Sequence, residues 1–423
     1  MTEMTHPELS TAWELFDSGD PRGAMRTLRF AADSLAPGEM APLVGKLAQS
    51  AGFDDLEKSA AKVAAAPEDA AALYAFGYDC IERGVPALAV PALRASLRLS
   101  GARKVLAELA VALEDEERHA EAADVLAEHD ALAEDWPDRY LLAYNAVMAG
   151  RLDQAGRVFA ALEAAPEQWR AAAGRLARIL ARAELAAPRD GEDLRGWHFA
   201  LTGGLLTTRS PYGFASMTGR WAYLQDSVER CRLGLERLRV VLAASGRTPV
   251  SVGLLPDRGS QVLGLATATV LGLPAAPYRP GTPDVLVVAY DLRDCERELV
   301  AALRERAPGE VLFEHATCWT DPPGVAADVS TLLVQTVVAP WAARTRFSPG
   351  GEAEDVPADA RPPGEVAAEI AAASPVADEG DGDSPPDPAE GLAAFAAGVR
   401  EGWLTAPRDR VRTAGPVRSG RFA

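Results

Sequence analysis

A spacing limits what this chain can fold into more than any single residue does. Ala89 and Leu93 are followed by Ala122 and Leu126, and then by Ala155 and Phe159, each step about 33 residues on. The clearest copy is Leu73 to Gly101, LYAFGYDCIERGVPALAVPALRASLRLSG. Leu73, Phe76, Gly77 and Cys80 fall at i, i+3, i+4 and i+7, the stripe of one helix face, and Gly84 breaks that helix. Ala89, Leu93 and Leu97 stripe a second helix. Small Gly77 and Ala89 sit where the two helices would cross, with leucines filling the gap. Neither helix buries its face alone, so the units must stack.

The other copies follow the same pattern. Leu106, Leu109, Ala110 and Leu113 precede Ala122 and Leu126, and Leu142, Ala143 and Ala146 precede the turn at Gly150. Upstream, Gly19 with Ala24 and Leu28 marks a copy, and a blurred one surrounds Gly45, Gly52 and Ala61. That makes about five units. These residues resemble the tetratricopeptide (TPR) family, whose signature runs from a large residue through Leu-Gly and an aromatic to Ala-x3-Phe and a closing Pro. Pro37, Pro67 and Pro166 stand near repeat ends, while Leu15, Cys80, Leu113 and Ala146 replace the signature aromatic. The resemblance covers roughly residues 5 to 190 and implies a right-handed α-helical solenoid. The competing reading is an ordinary helical bundle.

The resemblance also implies that the first helix of each unit faces a concave groove. That places Leu9 and Trp13, Tyr74 and Tyr78, Ala107 and Val111, and Tyr140 and Tyr144 along it, each pair at i, i+4. Of these, Trp13, Tyr74, Tyr78, Val111, Tyr140 and Tyr144 are the candidate partner-binding residues. Tyrosines join a large apolar body to a hydrogen-bonding tip, which suits them to carry interface energy. The family's carboxylate-clamp pattern needs Lys, Arg and Asn here, and these positions lack it. An apolar or helical peptide is therefore expected rather than a chain terminus.

Gln168 to Ala187 reads as one more amphipathic helix, suited to cap an open solenoid end, and Pro188 to Gly191 then breaks the pattern. A boundary near 190 follows, with residues 1–190 as the repeat domain and 191–345 as an α/β domain. From Trp197 to Trp341, strand-like runs (HFALTGGLL, PVSVGLL, DVLVVAYDL, EVLFEHA) alternate with helical patterns over Trp221–Ala244, Gln261–Leu271, Cys295–Arg306 and Val325–Val338. Runs such as VLVV imply strands buried on both faces, the mark of a mostly parallel sheet.

Ligands of such sheets bind at the carboxyl ends of the strands. Asp257, Arg258, Gly259 and Ser260 form a short polar loop ahead of a helix whose free N–H groups could hold an anion, with Tyr290, Asp291 and His315 at the neighbouring strand ends. This segment resembles the type I phosphoribosyltransferases in its LGLP-ending helix and later acidic strand end. It departs from them at Ala289 to Asp294, where no glycine or threonine cradles a phosphate.

Ser348 to Glu390 holds eight prolines and twelve acidic residues against Arg361 alone, so residues 346–423 read as a disordered acidic, Pro-rich tail. One short helix near 389–404 presents Leu392, Phe395, Val399 and Trp403.

A net charge of −18 disfavours nucleic acid as a partner, since that affinity needs clustered Lys and Arg. No 18-residue apolar run exists and the first residues lack the basic start of a signal peptide, so no membrane partner and a cytoplasmic location are expected. Cys80, Cys231, Cys295 and Cys318 lack paired spacing, which fits a reducing compartment. His315 and Cys318, three apart on a strand-like run, point to no metal, and no cofactor or catalytic residue is indicated. The sequence reads as a protein-interaction scaffold. The alternative is an enzyme, active or degenerate, that binds a nucleotide or sugar phosphate through Asp257, Arg258, Ser260 and Asp291.

Overall fold

The computed structural model describes residues 6–211, 217–347, 353–376, 386–411 and 413–417. Contacts divide the chain into two compact units, Met1–Ala173 and Gly174–Ala423. No helix among the described residues is long and apolar enough to cross a membrane.

The first unit consists of helix pairs: α1 (Pro7–Asp17) with α2 (Pro21–Ala31), α3 (Pro37–Ala51) with α4 (Asp54–Ala65), α5 (Ala70–Glu82) with α6 (Pro86–Ser100), α7 (Arg103–Asp115) with α8 (His119–Glu128), and α9 (Tyr140–Met148) with α10 (Leu152–Ala160). The expected turn glycines Gly19, Gly84 and Gly150 all adopt the left-handed backbone, at φ +84°, +71° and +78°. Gly77 is where the expected close approach occurs: a Cβ there would lie 2.5 Å from Leu93 Cγ of α6. From α3 onward the second helix of each pair packs on the first helix of the next. The first pair departs from the expected single stack. α2 scarcely meets α3; instead the 3-10 turn Ala32–Ser34 packs on α6. Asp33 reaches Arg118 at 2.8 Å and Arg94 at 3.6 Å, and Arg29 reaches Glu116 at 3.6 Å.

The second unit begins inside α11 (Arg170–Ala186), earlier than the boundary expected near 190. Arg182 of α11 donates to the carbonyls of Ala200 and Leu201 at 2.9 and 2.8 Å. After α12 (Leu194–Thr202) come β1 (Leu205–Leu206), β2 (Trp221–Gln225), α13 (Val228–Ala244), β3 (Ser251–Leu254), α14 (Arg258–Leu271), β4 (Ala275–Pro277), β5 (Val285–Ala289), α15 (Arg297–Ala302), β6 (Val311–Cys318) and β7 (Val329–Val338). The strands form one sheet in the order β1-β7-β6-β5-β3-β4, with β2 also along β7. Every pairing in it is parallel. β5 and β6 are buried throughout, as strands covered on both faces must be.

Several local expectations change. HFALTGGLL is mostly helix α12, capped by the Asp193 carboxylate on the Gly196 N–H and ended by left-handed Gly203. Trp221–Gln225 is a strand ahead of α13, and Val329–Val338 is the strand β7 rather than a helix. A strand apolar on both faces shows no period of two, so its run is easily read as helical.

The expectation of a disordered tail fails for the residues described there, although 348–352, 377–385, Arg412 and 418–423 lie outside them. β8 (Arg344–Phe347) and β9 (Ala353–Val356) pair antiparallel. α16 (Pro363–Ala372) and α17 (Ala389–Val399) pack on α14 and α13. Val366, Ile370, Leu392, Ala396, Val399 and Trp403 join the core on that face of the sheet. Buried ion pairs fix this segment: Asp387 meets Arg195 at 2.6 Å, and Arg408 meets Asp328 at 2.6 Å and Glu310 at 2.7 Å. Composition argued for disorder, but a few well-spaced apolar residues and paired charges suffice for docking.

Candidate functional site

The six candidate partner-binding residues lie on first helices, and their surroundings differ. Tyr78 is 41% exposed, and its ring lies 6.3 Å from that of half-buried Tyr74. Lys104 Nζ of α7 stands 4.4 Å over the Tyr74 ring. Val111 is half-buried on α7. Tyr144 is half-buried, edge-on to His119 at 6.4 Å, while Trp13 packs on Phe16 of its own helix at 6.3 Å. Tyr140 differs from the expectation. It is buried, with Trp136 stacked at 5.4 Å and Trp169 tilted at 5.4 Å, so its ring serves packing.

Acidic groups share this face. Burial, reinforced by Glu82, raises the Glu108 pKa, and burial with Glu108 raises that of Tyr74. Burial likewise raises Glu114 and Asp115. These shifts mark partly desolvated carboxylates beside the Tyr74 and Tyr78 rings.

The structure brings the candidate anion-binding residues together at the carboxyl ends of β3 and β5, but it engages them with their own neighbours. The Asp257 carboxylate accepts the Ser260 N–H at 2.8 Å, occupying the N-terminus of α14 where an anion would bind. Cys295 Sγ donates to its other oxygen at 3.2 Å. Ser260 Oγ accepts the Tyr290 N–H at 3.1 Å, and Arg258 donates to the carbonyls of Asp359 and Arg361 at 2.8 Å each. Gly259 lets Tyr290 approach: an added Cβ would lie 3.2 Å from that of Tyr290. Asp291 is clasped by Arg293 at 2.6 Å. These contacts build a strand-to-helix corner.

A cluster of buried polar groups lies next to this corner. Asp226 follows β2, Cys231 is in the first turn of α13, His315 is within β6 and Tyr290 follows β5. Asp226 Oδ2 lies 3.0 Å from His315 Nε2, 3.4 Å from Cys231 Sγ and 2.9 Å from Tyr290 Oη. Sγ and Nε2 are 3.9 Å apart. Burial opposes ionisation of Asp226, yet the charge and hydrogen bond of His315 outweigh it and hold the pKa below the usual carboxylate range. Burial and then Asp226 push the Cys231 thiol and the Tyr290 phenol well up. Sequence reasoning weighed His315 with Cys318, but residues three apart on a strand point to opposite faces. Its actual partners come from other elements, where no local spacing could reveal them.

On the other face of the sheet, His198, Arg220, Cys318, Trp319 and Leu333 line a small apolar cavity. His198 Nε2 there has no hydrogen-bond partner, and burial together with the Arg220 charge pushes its pKa down to about 4.

The chain matches no protein-family model and no curated protein. Among solved structures, a crystal structure of MamA protein is similar to part of it at 17% identity and a TM-score of 0.25, covering 39% of this chain and 100% of that one. MamA AMB-1 is similar at 21% identity and a TM-score of 0.24, covering 36% and 93%. Likeness at this level carries no argument, so the helical-repeat architecture rests on the alternating pairs themselves.

Proposed function

We propose that the chain is a cytoplasmic TPR-like scaffold whose first-helix face, on α5, α7 and α9, binds a protein segment. The carrying observation is the exposed Tyr78 ring beside Tyr74 on a surface that also carries the carboxylates of Glu82, Glu108 and Asp115. The partner segment is apolar or helical and carries Lys or Arg to meet those carboxylates. Aromatic rings supply contact area at low entropic cost, and the charges select among partners. The enzyme alternative is not supported, because the groups at the β3 and β5 ends bond one another.

The test is affinity capture with the full chain against its Tyr78→Ala and Tyr144→Ala variants. A specific captured protein is expected to be lost from both while circular dichroism stays unchanged, and its retention is expected to weaken with salt. Equal capture by all three chains would remove the first-helix face from consideration.

A further inference from the structure

The Asp226, Cys231 and His315 cluster goes beyond this scaffold reading. Its three heteroatoms stand 3.0, 3.4 and 3.9 Å apart. A point equidistant from three atoms so spaced lies about 2.0 Å from each, and zinc sits ~2.0 to 2.3 Å from carboxylate, imidazole and thiolate donors. We propose that Asp226, Cys231 and His315 form a site for one zinc-type divalent cation, with the fourth position open to Tyr290 or to water.

Three observations support this assignment. The donors come from three separate elements and all are buried, so the fold itself converges them. A carboxylate, a thiolate and a dication sum to neutrality, so the occupied site buries no net charge. The neighbourhood of His315 suits a metal ligand as well. A Cβ at Gly234 would meet His315 Nδ1 at 2.8 Å and Thr331 Oγ1 at 3.0 Å, so glycine keeps this space clear. Neither atom has a hydrogen-bond partner. With Nε2 on the metal, Nδ1 carries the proton on the side of the ring away from the ion.

A cleft of about 470 Å³ lined by Ser227, Trp341, Asp359 and Arg361 adjoins the site at Asp226, whose side chain is itself buried. The mixed oxygen, nitrogen and sulfur set favours zinc or cobalt over magnesium or calcium, which take oxygen ligands. Binding converts the Cys231 thiol to thiolate and releases its proton.

The experiment uses the full chain with cobalt(II) as a spectroscopic probe. One equivalent should bind, giving a near-ultraviolet thiolate-to-cobalt band and intense visible tetrahedral bands, and one equivalent of zinc should abolish both. Cys231→Ala should lose the thiolate band and most of the uptake, with Cys80, Cys295 and Cys318 still present as internal controls. X-ray absorption of the zinc-loaded wild-type chain should show one sulfur among nitrogen and oxygen scatterers, a readout that does not depend on any variant folding. Absence of stoichiometric binding by the wild-type chain, absence of a sulfur scatterer, or an unchanged thiolate band in Cys231→Ala would each overturn the assignment.

Discussion

Replacing Gly77 by alanine sets two effects against each other, and the structure decides between them. In a helix interior, Gly→Ala ordinarily stabilises by ~0.5 to 1 kcal/mol, because glycine loses more conformational freedom on folding. At Gly77, however, the new methyl would lie 2.5 Å from Leu93 Cγ and 2.8 Å from its Cδ2, and Leu93 is fully buried. Carbon atoms pack at ~3.5 to 4.0 Å, so Leu93 must retreat by about 1 Å. Overpacking of this kind costs ~1 to 3 kcal/mol. The net expectation for Gly77→Ala is a loss of about 1 kcal/mol, or ~2 to 4 °C in Tm for a unit of this size. Leu93→Ala alone should cost ~2 to 5 kcal/mol through the cavity it leaves. In the Gly77→Ala background it should cost less, by ~1 kcal/mol or more, because the added methyl fills part of that space. Urea and thermal melts of the full chain, followed by helical circular dichroism, give all four corners of the cycle. A Tm raised by Gly77→Ala, or an equal cost of Leu93→Ala in both backgrounds, would refute the helix-crossing argument.

Two further outcomes are expected. His198 is held neutral with its pKa near 4, below the ~6.5 of an unfolded chain, so between those values the unfolded chain binds a proton that the folded one refuses. Its contribution is therefore complete above pH ~6.5 and falls by up to ~1.4 kcal/mol per unit as pH drops toward 4, and His198→Phe should flatten that part of the pH dependence of the urea midpoint. Arg408→Met leaves buried Asp328 with Arg306 and Glu310 with the Tyr278 hydroxyl as remaining partners and should cost ~3 kcal/mol, read as a lowered Tm; Arg408→Lys should not restore it, because an ammonium lacks the planar fork that spans both carboxylates.

The repeats were legible because their signal is local and repeated: Gly77 against Leu93 is visible as a small residue at a crossing, and Gly84 and Gly150 as breaks. The reading that α1 and α2 simply continue the stack failed because ion pairs such as Asp33 with Arg118 leave no periodic trace. In the second unit, β5 and β6 were plain from their β-branched runs, whereas β2 was missed because Trp221 and Leu224 fall at i, i+3. Asp257, Ser260 and Tyr290 do meet at one corner, but a sequence does not say that Asp257 will cap its own helix. Nor could it connect Asp226, Cys231 and His315 across a loop, a helix and a strand.

The ion pair between Arg195 and Asp387, 192 residues apart, has a consequence for the order in which the chain is made. The pairs α3 to α10 contact near neighbours in sequence and can close one after another as they leave the ribosome. The parallel sheet cannot. By the time β7 emerges, its strands are all present, but α16 and α17 and the residues around Trp403 and Arg408, which cover it, are still unmade. At ~5 to 20 residues per second the nascent sheet spends several seconds or more with an apolar face uncovered. The first unit can thus close during synthesis, while the second stays incomplete until Asp387 and Arg408 arrive.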